Sequence, residues 1–143
     1  VARGYQIVYV DYLQIISPER GTKPSDRFGA VSQISMDLHR MAVSLGILVV
    51  ALSQLSRACE TRTDHRPMLS DLRESGAIEQ DADIVLFLYR DAYYDSEKSD
   101  DEDLSDQTKS ECIVAKNRHG EIGTIPLHWD GQFTRFTSVD VFR

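Results

Sequence analysis

From Gln6 to Val10 the chain reads QIVYV and then meets Asp11; from Ile47 to Leu52 it reads ILVVAL and then meets Ser53-Gln54. Short apolar runs rich in β-branched residues, each stopped by a polar residue, are the pattern of strands covered on both faces. Between them, Phe28, Val31, Ile34, Leu38, Met41 and Leu45 recur at steps of three and four from Arg27 onward. That spacing predicts one face of an amphipathic helix, with Ser25 or Asp26 as its cap and Gly46 as its stop. Strand, helix, strand in this order predicts a right-handed βαβ unit in a parallel, covered sheet. The fold class expected is therefore α/β, a mainly parallel sheet flanked by helices.

Working outward, Ser17 to Asp26 carries Pro18, Gly21 and Pro24 and reads as a surface loop. Arg57 to Ser70 is polar, contains Pro67, and reads as a long loop, of the kind that is usually functional or disordered. A short helix is expected around Ala77 to Gln80, then a third apolar strand, DIVLFLY, from Asp83 to Tyr89. The acidic stretch that follows, 91–109, reads as a disordered loop. Glu111 to Lys116 (ECIVAK) is a fourth strand. His119-Gly120 with Gly123 mark a turn, and Thr124 to Trp129 with Phe133 to Phe136 are expected to close the chain as an antiparallel hairpin.

The 143 residues suffice to bury a core, and the net charge is −7. That charge is local. Eight acids and one base lie between Asp91 and Asp106, leaving 15 acids and 15 bases elsewhere. Bulk charge thus neither supports nor excludes a nucleic-acid partner. Cys59 and Cys112 are far apart and the four histidines lack metal spacing, so neither a disulfide framework nor a zinc site is expected. No apolar run is long enough for a membrane span, and a reducing, cytoplasmic location is the natural expectation. Val1 is not an initiator residue, and the chain is expected to begin inside a longer protein.

Four places could carry chemistry. Asp11 ends an apolar strand, and ligands of open α/β sheets bind at the carboxyl ends of strands; an Asp that merely ends a strand looks the same. Gln54 follows the neighbouring strand, and its amide could touch both a phosphate and a water, or be a satisfied loop amide. Arg73, Glu74, Ser75 and Gly76 precede a short helix, where free N–H groups suit a phosphate; a helix cap beside a solvated Arg-Glu pair is the plainer alternative. Lys116 and Arg118 alternate at a strand end and so point the same way, either toward an anion or as a solvated basic edge that deters aggregation.

Two stretches, DLRESGAIEQDAD from Asp71 to Asp83 and AKNRHG from Ala115 to Gly120, together with the strands ending at Asp11 and Ser53-Gln54, resemble the C-terminal motor domain of DnaB-type replicative DNA helicases. The resemblance runs from about Ile7 to about Thr137. It implies a partial RecA-like P-loop NTPase core, using ATP and Mg²⁺ to translocate on single-stranded DNA and unwind duplex within a hexameric ring. Primase and a helicase loader are the further partners implied. By the same resemblance Asp11 holds Mg²⁺ through water, Gln54 senses the terminal phosphate, and Arg73 to Gly76 grip DNA. Lys116 and Arg118 then act in trans on a neighbour's nucleotide.

One departure stands out: no G-x-x-x-x-G-K-[ST] loop occurs in the chain, and Gly21-Thr22-Lys23-Pro24 does not substitute for it. The phosphate loop and catalytic glutamate are expected upstream of Val1. In a RecA-like core the strand feeding that loop would lie between the strand ending near Gln54 and the one from Asp83 to Tyr89. Two other readings remain: a RecA-like recombinase or clock-type ATPase, against which DLRESG argues, and a non-catalytic module that joins or caps a helicase ring.

Overall fold

The computed structural model describes residues 4–16, 27–94 and 108–139, with the backbone alone at 27–28 and 73–75. Most of the acidic stretch and the expected caps Ser25 and Asp26 lie outside the described residues. Two compact units emerge: one takes the chain up to Ala58 together with Leu69–Ala82, the other takes Cys59–Met68 and everything from Asp83 onward.

In the first unit, β1 (Ile7–Val10) pairs in parallel with β2 (Leu48–Ala51), Val10 standing opposite Ala51. A parallel pair needs a crossover, and α1 (Arg27–Leu45) supplies it. Gly46 ends α1 at φ +62°; its N–H donates to Val43 C=O at 3.4 Å, and the Ile47 N–H donates to Ala42 C=O at 3.1 Å. That bond pair is the left-handed glycine stop expected from the sequence. The short α2 (Gly76–Asp81) is tied to α1 where Ser35 Oγ donates to Asp81 Oδ2 at 2.8 Å. Leu13, Leu72 and Ile78 form the apolar core of this unit, and Asp71 is buried with them.

The second unit is a four-stranded sheet in the order β3 (Ile84–Tyr89), β4 (Lys109–Asn117), β5 (Gly123–Asp130), β6 (Arg135–Ser138). Every pairing in it is antiparallel. Here the expected mainly parallel sheet is corrected: among the described residues one strand pair is parallel and three are antiparallel. The reason is connectivity. Nothing between Tyr89 and Lys109 has the period of a crossover helix, so β4 returns antiparallel beside β3 and the closing hairpin extends that sheet. β3 alternates strictly: Val85, Phe87 and Tyr89 are buried, while Ile84, Leu86 and Leu88 are exposed.

Two local expectations also shift. The stretch 57–70 is not plain loop, for it holds a 3-10 turn at Arg57–Thr61 and the start of another at Leu69–Ser75. The last strand starts two residues later than read, because Asp130 Oδ1 accepts from the Phe133 N–H and Thr134 takes φ +51°, which lengthens the turn.

Candidate functional site

The parallel register brings the ends of β1 and β2 to one edge, so Asp11 lies one residue past β1 and Gln54 three past β2. Backbone bonds stitch this edge. The Leu52 N–H donates to Val10 C=O and the Leu13 N–H donates to Leu52 C=O, each at 2.9 Å. The 3-10 turn Leu13–Ile15 then carries Gln14 across to Ser53 and Gln54. Gln14 Nε2 donates to Ser53 Oγ at 2.9 Å and to Gln54 C=O at 3.3 Å, while Gln14 Oε1 accepts from the Gln54 N–H at 3.2 Å. Asp11 and Gln54 themselves are exposed.

Among the described residues no group of three or more His, Cys, Asp or Glu could hold a metal ion. Asp11 is a lone, solvent-facing carboxylate. That fits Mg²⁺, which keeps most of its waters and is often bound by one carboxylate together with substrate phosphates.

In DLRESGAIEQDAD the structure separates inward from outward residues. Asp71 is 2% exposed, its C=O accepts from the Ser56 N–H at 2.9 Å, and Leu72 is buried beside it. These two anchor the segment. The side chains of Arg73, Glu74 and Ser75 lie outside the described residues. Gly76 opens α2 exposed, and a Cβ there would meet nothing within 4 Å.

Asp83, the last residue of that stretch, belongs to the second unit and faces Arg118. The Arg118 N–H donates to Asp83 C=O at 2.9 Å, and its guanidinium pairs with Asp83 Oδ1 at 3.3 Å. Arg118 therefore sits one residue beyond β4 and prolongs its ladder with β3, whereas Lys116 stands within β4 opposite Val85. A register shift at Val85/Leu86 leaves Ala115 unpaired between Lys116 and Val114, a bulge of the kind that re-aims side chains.

The turn after β4 explains the remainder of AKNRHG. Asn117 Oδ1 accepts from the His119 N–H at 3.2 Å, and Asn117 Nδ2 donates to Glu121 C=O at 3.4 Å. A Cβ on Gly120 would stand 2.6 Å from Asn117 Nδ2, so glycine is required there. Asn117 and Gly120 shape the turn; Lys116 and Arg118 are the residues it leaves for chemistry.

Opposite the other end of β4, the segment Cys59–Met68 is pinned to the sheet. Arg66 forms an ion pair with Glu111 and lies 5.0 Å over the Tyr89 ring, and Glu111 holds its guanidinium above the ordinary range. The Tyr89 hydroxyl proton has two acceptors, Asp64 C=O at 2.8 Å and Asp91 Oδ1 at 2.6 Å. Burial first, and the Asp91 bond second, push the Tyr89 phenol well above its usual value. Burial raises Tyr94 as well, whose ring stacks on His65 at 4.5 Å. Arg90 lies 4.2 Å over Trp129, which packs on Phe136 at 4.8 Å, so these aromatics serve the sheet.

The chain's match to known proteins agrees with this arrangement. A family model described as the DnaB-like helicase C-terminal domain covers residues 1–138. The chain belongs to the DnaB-like helicase C-terminal domain family. Among members of that family, the replicative DNA helicase DnaB of Rickettsia felis is 47% identical over 146 residues, covering 94% of this chain and 29% of that protein. The replicative DNA helicase DnaC of Bacillus subtilis is 45% identical over 137 residues, 96% of this chain and 29% of that protein. The chain thus spans less than a third of the curated relatives it matches.

Two solved DnaB-like structures superpose with a TM-score of 0.82 at 46% identity and 96% coverage of this chain. One describes a DnaB-like replicative helicase and its interactions with primase, of which 32% is matched; the other is a helicase ATPase domain, of which 46% is matched. No helix among the described residues is long and apolar enough to cross a membrane.

Sequence reasoning missed Gln14, Asp71 and Asp83 as residues of consequence. Asp83 lay inside the quoted stretch. Gln14 gave no signal beyond standing three residues after Asp11, since its partners are 39 and 40 residues away.

Proposed function

We propose that this chain is the C-terminal part of the motor of a replicative DNA helicase, with a RecA-like core that couples ATP hydrolysis to translocation on single-stranded DNA and to duplex unwinding. The observation that carries the reading is the juxtaposition of Asp11 and Gln54 at the carboxyl edge of a parallel pair, where nucleotides bind in open α/β sheets. Asp11 would hold Mg²⁺ through water, and the ion when bound would neutralise charge on the terminal phosphates. Gln54, exposed at the same edge, senses the terminal phosphate and orients water.

Lys116 and Arg118 reach the nucleotide of a neighbouring subunit in a hexameric ring, where their charge stabilises the transition state. Arg73 to Gly76 contact DNA phosphates, a role supported by Gly76, whose open surroundings give no internal reason for glycine. Primase, named with one structural relative, is a partner in the same reading, as is a loader, and the setting is the cytoplasm. With no glycine-rich phosphate loop in its sequence, the 143-residue chain by itself is expected to show no helicase-like turnover.

The test is complementation between inactive rings of the complete protein. Arg118→Ala should lower kcat by about 10³ to 10⁵ while nucleotide binding survives, because the group acts on the transition state. Mixing Arg118→Ala rings with rings defective in the phosphate loop creates interfaces that pair an intact loop with an intact arginine. Part of the phosphate release should then return. No recovery despite demonstrated subunit exchange refutes the in-trans assignment.

A further inference from the structure

β2 loses its strand partner just where Gln54 begins. The ladder between β1 and β2 ends at Val10 and Ala51, and the last backbone bonds across it are those of Leu52. Beyond that point the Ser53-Gln54 main chain meets a side chain instead. A glutamine amide carries the same donor and acceptor as a peptide group, and Gln14 uses both on the backbone of one residue: its oxygen on the Gln54 N–H, its nitrogen on the Gln54 C=O. The same nitrogen donates to Ser53 Oγ, and the Ser53 hydroxyl donates to Gln54 C=O at 3.4 Å. The side chain thus extends the sheet by one more residue.

Gln14 is itself held. It occupies the middle of the turn Leu13–Ile15, closed by the Ile16 N–H donating to Leu13 C=O at 3.2 Å, and Leu13 is 2% exposed. Asp11 is three residues earlier on the same stretch. The Gln54 backbone is therefore fixed relative to the Asp11 strand end, while the exposed Gln54 side chain remains available.

We propose that Gln14 is a positioning residue for Gln54, setting its amide relative to the nucleotide edge without touching the nucleotide. The inference rests on the reading of Gln54 as phosphate sensor. Catalytic groups lose about 10²-fold when misplaced by roughly 1 Å, which sets the size of the effect to look for.

Three variants of the complete protein decide it. Gln14→Met keeps the length and removes donor and acceptor; Gln14→Glu keeps an acceptor for the Gln54 N–H; Gln54→Ala is the reference. Gln14→Met should lower kcat for ATP by about 10- to 100-fold with KM within about threefold, the signature of a defect in the chemical step. Hydrogen exchange at the Gln54 amide should accelerate in the same variant, a readout independent of turnover. Gln14→Glu should recover part of both.

Wild-type kcat in Gln14→Met, beside an inactive Gln54→Ala, overturns the role of Gln14 alone. Wild-type kcat in Gln54→Ala overturns the sensing reading itself. If Gln14→Met rings fail to assemble, Gln14→Glu decides: raised KM with unchanged kcat, or unaltered Gln54 exchange, refutes positioning.

Discussion

The two units share one kind of sequence and build different things with it. QIVYV, ILVVAL and DIVLFLY are equally apolar, yet β3 buries Phe87 to 4% exposure while β1 leaves Tyr9 at 70% and Ile7 at 46%. In the antiparallel unit, one sheet face supplies the core and the sheet is knit by three ladders. In the parallel unit, two strands contribute little burial, and the structure is held by α1, the glycine stop at Gly46 and the bonds around Leu13 and Gln14. The antiparallel unit is the stable one by its own packing, and the parallel unit is an edge that presents polar residues. Stability and chemistry are divided accordingly.

Core truncation should expose that division most strongly. Phe87→Ala removes a buried ring and should cost about 3–5 kcal/mol, whereas Ile7→Ala, half-exposed, should cost well under that. Urea unfolding of both variants measures the contrast. Equal losses would mean that β1 is as well packed as β3.

A smaller effect separates the units by pH. The Tyr89 phenol has a folded value above its unfolded one, so it contributes stability that is complete below about pH 10 and is lost as pH rises through the folded value. Tyr89→Phe should lose about 0.5–1.5 kcal/mol at neutral pH, the worth of one hydrogen bond, and flatten the alkaline fall in stability. Thermal melts from pH 8 to 11 would show it; an alkaline slope identical to wild type would detach Tyr89 from the anchoring of Cys59–Met68.

The smallest effect concerns the pair between Asp83 and Arg118, whose side chains are 54% and 43% exposed. A pair so open to solvent is worth about 0–1 kcal/mol and is screened by salt. Asp83→Asn should therefore shift the melting midpoint only slightly, less at 1 M salt than at 0.05 M. A large, salt-independent loss would show that the antiparallel unit depends on this pair.

Much of this was legible beforehand. The step of three and four from Phe28 to Leu45, closed by Gly46, marks α1 at both ends because helix order is local and each residue reports on its neighbours. The strands were found for the same reason, but their pairing was not, since partners are chosen at long range. β3 and β4 illustrate it: their antiparallel relation follows from a connection without a helix, a negative sign that an apolar run does not carry. The site was legible to the depth of Asp11, Gln54, Lys116 and Arg118 as candidate residues. Its supporting bonds were not. Gln14 reaches across 40 residues of sequence, and Asp71, an acid in a polar stretch, reads as solvated though it is buried. The side chains of Arg73 to Ser75 lie outside the described residues, so their role stands on sequence alone.

β4 holds both flanks of the stretch that carries DLRESG. Near its start, Glu111 grips Arg66, three residues before Leu69; just past its end, Arg118 grips Asp83, two residues after Asp81. The two grips are seven residues apart on one strand, about 23 Å at strand rise. A pull on Leu69–Asp81 therefore arrives at both ends of a single strand and is carried as shear along the ladders to β3 and β5. Hydrogen bonds perpendicular to the strands share such a load instead of opening one at a time. Whatever draws on that stretch works against a beam, with Arg118 at one of its bearings.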